Sequence, residues 1–186
     1  MSTADGQAEN LLGALGLAVA DRMGDAMVAQ AGHASSDAIA LSALQDFLDA
    51  PTVDRLAEVL GLTSSGTVRL VDRLERAGLV RRRMGADGRS THVTLTAAGR
   101  RAGHAVATTR LAFLHDVLAV LNPEERRTFG RLAGKVLAGM VRPPGATRWT
   151  CRLCDTGACG RPQGLCPVAN AGLARAAVSP SGPGRS

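Results

Sequence analysis

Four cysteines, the only ones in the chain, lie close together near its C-terminal end in the string CRLCDTGACGRPQGLC. Their spacing is C-x2-C-x4-C-x6-C, and the glycines between them allow a short chain to wrap around a metal. Four thiolates at this density can hold a tetrahedral zinc ion or an iron–sulfur cluster. The predicted metal ligands are therefore Cys151, Cys154, Cys159 and Cys166.

The spacing leaves three kinds of thiol chemistry open. An iron–sulfur cluster is slightly preferred, because Cys166 is followed by Pro167 as in the bacterial ferredoxin run. The second pair of cysteines, Cys159 and Cys166, also lacks the C-x2-C spacing of a zinc ribbon. Structural zinc and metal-free redox thiols remain the alternatives. A thiol oxidoreductase is disfavoured because the C-x2-C motif has no βαβ setting, so we expect no enzyme. A further alternative function is that of a metal-storage or scaffold protein.

A second group of residues could bind a polyanion. The chain carries a net charge of +6, and residues 69–101 hold nine arginines against three acidic residues, which also gives +6. Such a basic segment favours nucleic acid as a partner. With only three phenylalanines, one tryptophan and no tyrosine, a base-stacking surface for single strands is not expected. The predicted contacts to double-stranded DNA are Ser64, Ser65, Thr67, Arg69, Arg73, Arg81, Arg83, Asp87 and Arg89.

The elements around these residues explain how they could reach DNA. Apolar residues at helical spacing predict a helix over residues 8–31, and later helices over 38–48, 52–60, 64–77, 97–121 and 123–141. Gly61 provides a turn between two short helices, and Gly78 suits a helix C-terminus. Strands are predicted over residues 79–84 and 91–95, with Asp87-Gly88 in the reversal. This order predicts a mainly α fold with a small β-hairpin wing: a winged helix-turn-helix flanked by dimerisation helices.

Two strings in this region carry a resemblance to a known family. LAEVLGLTSSGTVRLVDRLERAGLVRRR and DGRSTHVTLTAAGR resemble the MarR family of bacterial winged-helix regulators, over about residues 36–141. The resemblance implies that the first helix and the last two form a homodimer, which places two recognition helices on a near-palindromic operator. It also implies that Asp87 and Arg89 belong to the wing, and that Ser65, Arg69 and Arg73 lie on the exposed recognition helix.

The resemblance further implies a function. Members of this family usually repress transcription and release DNA when a small ligand or an oxidant acts on the dimer. The scarcity of aromatic residues argues against a pocket for a phenolic inducer. The cysteine string lies beyond the resemblance, and it is similar to the cluster loop of redox-sensing MerR-type regulators with a spacing that differs by a few residues. We therefore expect a repressor that senses redox or metal state; the alternative is a ligand-responsive regulator with a structural zinc.

The sequence predicts five segments and a location. They are an N-terminal dimerisation helix (1–35), the winged helix-turn-helix (36–99), C-terminal dimerisation helices (100–142), a cysteine module (143–170) and a disordered tail (171–186). The apolar residues 11–20 follow acidic rather than basic residues, which argues against a signal peptide. A cytoplasmic protein without a membrane partner is expected, with its cysteines reduced or metal-bound.

Overall fold

The computed structural model describes residues 3–32, 34–85, 88–141 and 150–178. In chain order these residues form α1 (Thr3–Ala31), α2 (Ser35–Asp46), α3 (Val53–Leu60), α4 (Ser64–Arg76), β1 (Val80–Met84), β2 (Thr91–Leu95), α5 (Ala97–Leu118), α6 (Pro123–Met140) and α7 (Pro167–Val178). The predicted mainly helical fold with a hairpin wing is confirmed.

Local signals start and stop these helices. Thr52 begins α3 by accepting a hydrogen bond from the Arg55 backbone N–H at 3.2 Å, and Gly61 ends it with a left-handed φ of 66°. Thr96 caps α5 through the Gly99 N–H at 3.0 Å. Asn122 begins α6 with a complete capping box, since its side chain accepts from two backbone N–H groups and a glutamate returns a bond to its own N–H. Each cap satisfies backbone donors that a helix start leaves unpaired.

One hydrophobic core holds the winged helix-turn-helix together. Its members come from α2, α3, α4 and both strands: Ala40, Leu41, Leu44, Leu56, Leu70, Val71, Leu74, Leu79, Val80, Val93 and Leu95. The two strands pair antiparallel, with Val80 opposite Leu95 and Arg82 opposite Val93. The hairpin is also tied to the segment before α3, because the Val93 N–H donates to the Pro51 carbonyl at 2.8 Å. The wing therefore has a fixed base against the helices.

The long helices surround this module. α1 packs along α5 and α2, and α7 packs on α6. Where these last two meet, Pro167 lies so close to Gly134 that an added Cβ there would come within 2.9 Å of the proline ring. The Arg175 guanidinium also donates to the Gly139 carbonyl at 3.3 Å. The C-terminal part of the chain is thus attached to the helix predicted to dimerise.

The predicted disordered tail is wrong for residues 171–178, which belong to α7. Pro167 suits the first turn of a helix, and the following alanines and leucine have high helix propensity. Packing on α6 supplies the tertiary contact that the sequence does not display. Residues 179–186 lie outside the described residues.

Candidate nucleic-acid interface and cysteine lobe

The N-terminal end of α4 presents small polar side chains. Thr63 caps this end, since its Oγ1 accepts from the Gly66 N–H at 3.1 Å. Ser64 and Ser65 follow it in the first turn, and both are exposed. Unpaired backbone N–H groups and a positive dipole end make such a position suitable for a phosphate. Short side chains there also permit close approach to a groove.

Thr67, in contrast, is not a DNA contact. Its side chain is 0% exposed, and its hydroxyl donates to the Thr63 carbonyl at 3.0 Å. It packs on the core side of α4 together with Leu70, Val71 and Leu74. The prediction for this residue is wrong because its position on the helix faces inward, as a period of 3.6 residues requires.

The two predicted arginines of α4 have different surroundings. Arg69 is exposed, and its Nε donates to the Ser65 carbonyl one turn earlier, at 3.3 Å. Arg73 donates to the buried carboxylate of Asp37 at 2.6 Å, and this hydrogen bond raises the pKa of the guanidinium. Both arginines are exposed to solvent, and Arg73 also holds α4 to α2.

Arg82, which was not predicted, fixes the wing to the recognition helix. Its guanidinium bridges Asp72 at 2.7 Å and Glu75 at 2.5 Å, and its backbone N–H donates to Glu75 at 3.0 Å. Hydrogen bonds from the backbone and side chain of Arg82 lower the pKa of Glu75. The period of two in a strand places Arg82 on the same face as buried Val80, so the alternation could have indicated this role.

Arg81 and Arg83 lie on the opposite face of β1, and both are exposed. They line a cavity of about 340 Å³ with Arg100 and the C-terminal part of α2. The Oε1 of Gln45, also in its lining, is buried and has no hydrogen-bond partner in the described part of the chain. Arg81 and Arg83 thus border a cavity beside the wing, whereas Arg82 contacts α4. DNA contact by Arg81 and Arg83 stays a prediction.

The hairpin tip is only partly described. Gly88 has a left-handed φ of 65°, and Arg89 next to it is exposed. Ser90 Oγ and His92 Nε2 lie 3.1 Å apart at the base of the tip. Asp87 lies outside the described residues, so its predicted role is open.

The four cysteines come together in what we call the cysteine lobe, residues 150–166. All four are free thiols; Cys151 and Cys166 are buried, and the other two are partly buried. Hydrogen bonds link Cys151 to Cys154 and Cys159 to Cys166. Buried Cys151 and Cys166 belong to one apolar cluster, and Cys154 and Cys159 pack against it. The four cysteines therefore lie in one lobe, and metal binding by them stays a prediction.

The electrostatics of the cysteine lobe favour the thiolate form of Cys154. The hydrogen bond from Cys151 lowers the pKa of Cys154 to about 6 against the effect of burial, and the guanidinium groups of Arg110 and Arg161 act in the same direction. Burial raises the pKa of Cys159. Among the described residues, no group of three His, Cys, Asp or Glu side chains stands in metal-binding geometry. The donor set fits a thiolate-bound metal in its chemistry: four sulfurs with two cations that offset their charge.

Comparison with known proteins now adds to this geometry. Residues 34–90 match the model of the MarR family. A MarR family protein from Bacillus stearothermophilus has a similar solved structure, with a TM-score of 0.67, 27% identity, and coverage of 76% of this chain and 99% of that one. This stretch is therefore similar in sequence and in fold to the winged helix-turn-helix of the MarR family.

Two further solved structures share the fold. Sco3205 from Streptomyces coelicolor, a MarR family transcriptional regulator solved in complex with DNA, aligns with a TM-score of 0.61 at 20% identity over 76% of this chain and 94% of its own. MepR from Staphylococcus aureus, a regulator of the multidrug efflux pump MepA, aligns with a TM-score of 0.61 at 19% identity over 72% and 98%. No curated protein matches the sequence.

The MarR-family match ends at residue 90, before the first cysteine at position 151. The cysteine lobe is thus an addition to the matched module. Within the described part of the chain, no single helix has the length and apolar character needed to cross a membrane, although α5 and α6, which meet at a bend of 115°, pass that test as a pair.

Proposed function

We propose that this protein is a homodimeric transcriptional repressor of the MarR type, which releases a near-palindromic operator when the state of its four cysteines changes. Its coarser identity as a DNA-binding regulator of the MarR family is supported by the match over residues 34–90 and by the fold. The single observation that carries the DNA-binding part is the exposed first half of α4, with Ser64, Ser65 and Arg69 facing solvent on a helix held by its other face. One α-helix of this kind fits the major groove.

Exposed apolar faces support the dimer. On α1, Leu11 and Leu17 are 61% and 69% exposed, and on α6 Leu132 and Met140 are 49% and 67% exposed. Large apolar side chains exposed on two helices suit an interaction site. A second copy that covers both helices would place two recognition helices about 34 Å apart, one turn of DNA.

The cysteine lobe is the proposed sensor. It lies between Val141 at the end of α6 and Pro167 at the start of α7, and α7 packs back on α6. A change of cysteine state would therefore act on the helix that we assign to the dimer. A shift of a few ångströms at this helix would take the two recognition helices out of register with successive grooves.

The group held by the cysteines is proposed to be an iron–sulfur cluster, with zinc as the alternative. Anaerobic purification followed by an absorption spectrum and metal analysis tests this. Visible absorption with iron and acid-labile sulfide would support the cluster, and a colourless protein with one zinc per chain would support the alternative. Protein that binds neither metal would leave redox thiols as the sensor and contradict both metal assignments.

A second candidate function is supported by the cavity beside the wing. Arg81, Arg83 and Arg100 surround it, and Leu44 and Leu48 supply apolar lining. Thr94, also in the lining, carries a hydroxyl group. A small organic anion that carries a donor would suit this lining, and it would act as the inducer while the cysteines hold a structural zinc. Benzoate binding measured by calorimetry, with Arg83→Ala as the comparison, tests this candidate.

Transcription from a defined promoter tests repression. An operator is first obtained by selection from random duplex DNA, and it is then placed over a promoter for run-off transcription. The reduced protein should lower the transcript, and the thiol oxidant diamide should restore it. A transcript that rises with added protein would contradict the repressor role, and a transcript indifferent to diamide would contradict sensing through the thiols.

A further inference from the structure

We propose that α2 carries the state of the cysteine lobe to the recognition helix within a single subunit, with Asp37 as the residue that positions α4. This inference rests on the proposed sensing function, and it adds a route that does not pass through the dimer. Three sets of contacts support it: the lobe against the C-terminal end of α2, the lobe against its N-terminal part, and Asp37 against Arg73.

The C-terminal end of α2 is held by the lobe. Phe47, the residue after the helix, packs against the cluster that includes buried Cys151 and Cys166. The Arg161 guanidinium lies 5.3 Å from the centroid of the Phe47 ring, within the range of a cation–π interaction. A rearrangement of the thiols therefore has a direct contact through which it can move this end of α2.

The lobe also packs against a cluster to which the N-terminal part of α2 contributes. Leu153, between Cys151 and Cys154, packs against a second cluster formed by Met27, Ala38 and Val106. Ala38 is the immediate neighbour of Asp37 and is 0% exposed. Because Leu153 lies between two of the thiols, a change in their spacing alters its position on this cluster.

Between these contacts α2 is closely packed in the core. Residues Ala40, Leu41 and Ala43 are completely buried. Side chains in such close-packed surroundings do not absorb a displacement locally. A movement imposed at either lobe contact is therefore transmitted along the helix.

At the recognition helix, α2 contributes the buried carboxylate of an ion pair whose guanidinium is exposed. Asp37 is only 4% exposed, and its Oδ1 accepts from Arg73 at 2.6 Å. The Ser36 hydroxyl assists by approaching both partners at 3.4 Å. Separating the pair would leave a buried carboxylate without its cation, which is strongly unfavourable. α4 is therefore expected to follow α2.

The test measures the ratio of operator dissociation constants after and before diamide treatment, by fluorescence anisotropy on the full-length protein. In the unaltered protein we expect about a tenfold loss of affinity, a usual size of coupling between sites. Asp37→Asn, which removes the charge and keeps the shape, and Leu153→Ala, which removes the lobe contact, should both bring the ratio close to one. Glu58→Gln is the matched control, because it breaks an exposed ion pair with Arg55 on the neighbouring α3 and should leave the ratio as in the unaltered protein.

The outcomes separate this inference from the proposed function. No diamide effect in the unaltered protein would overturn both. A full effect in the unaltered protein that persists in both variants would overturn the α2 route alone and leave sensing through the dimer. Where Asp37→Asn does not fold, Leu153→Ala decides. In addition, amide hydrogen exchange in α4 should rise on oxidation of the unaltered protein and stay constant in Leu153→Ala; equal rises in both would contradict the route.

Discussion

At the scale of single residues, the arginines of the basic segment divide into those that hold the fold and those that face solvent. Arg82 binds two carboxylates of α4, and Arg73 binds the buried Asp37. Arg69 is exposed and, among the described residues, its side chain donates to a carbonyl of its own helix. Net charge alone therefore overstates how many of these side chains are available to DNA.

Replacement of Arg69 with alanine should weaken operator binding by about 1–3 kcal/mol and relax base preference at one position of each half-site. Fluorescence anisotropy on the selected operator and on single-base variants measures this. Thr67→Val is the control, since it alters a buried hydroxyl and should leave the affinity of the folded protein unchanged. An unchanged affinity in Arg69→Ala would contradict its assignment as a contact.

Glu75 should make a pH-dependent contribution to stability. Its pKa is lowered below the ordinary value of 4.5 by hydrogen bonds from Arg82. A carboxyl group with a lowered pKa in the folded state stabilises above its unfolded pKa, and this contribution is lost as the pH falls through the folded value. Because the pair is partly exposed, Glu75→Gln should cost about 0.5–1 kcal/mol at neutral pH. Urea unfolding at neutral and acidic pH should show that the difference disappears in acid; a difference that persists there would contradict this origin.

At the scale of elements, the sequence predicted what local chemistry determines. The helix starts at residues 97 and 123 and the turn at Gly61 are confirmed, because each depends on residues within one helical turn. Helix α7 was not predicted, because the glycines and prolines that follow it dominated the composition of the tail. The Arg82 bridge and the contact of the lobe with Phe47 were also missed, since they join residues far apart in the chain.

Close packing of α5 against the hairpin gives an element-scale prediction. A Cβ at Gly99 would lie 1.8 Å from the Leu79 carbonyl oxygen, which is backbone and cannot move aside. Gly99→Ala should therefore cost more than about 3 kcal/mol or abolish folding. Gly130→Ala is the control: no atom lies within 4 Å of the added methyl group, and helix propensity favours alanine by up to about 1 kcal/mol. Thermal unfolding compares the two, and similar midpoints would contradict the packing described.

At the scale of the whole molecule, the proposed mechanism needs two parts: the cysteine lobe as the sensor and the dimer that places the two recognition helices. The helices assigned to the dimer keep large apolar side chains exposed. The lobe contacts both α2 and the end of α6. A single chain thus places the cysteines where they touch the DNA-binding module and the proposed interface together.

A charge on the exposed face of α6 should break the dimer. Leu132 is 49% exposed in the single chain, and Leu132→Glu would bury a carboxylate in the interface that we propose, at a cost of several kcal/mol. Sedimentation velocity should show a monomer of 19.1 kDa with greatly reduced operator affinity. Val120→Glu is the control, since Val120 is 85% exposed in the turn before α6. A dimeric Leu132→Glu variant would place the interface elsewhere.

In the proposed mechanism the four cysteines set the affinity for DNA. The most direct measurement compares operator affinity of the anaerobically purified protein before and after diamide treatment with that of a variant in which Cys151, Cys154, Cys159 and Cys166 are all serine. We predict a loss of affinity of about tenfold on oxidation of the protein, reversed by dithiothreitol, and no change in the serine variant. Equal affinities of the protein before and after oxidation, or the same loss in the serine variant, would contradict it.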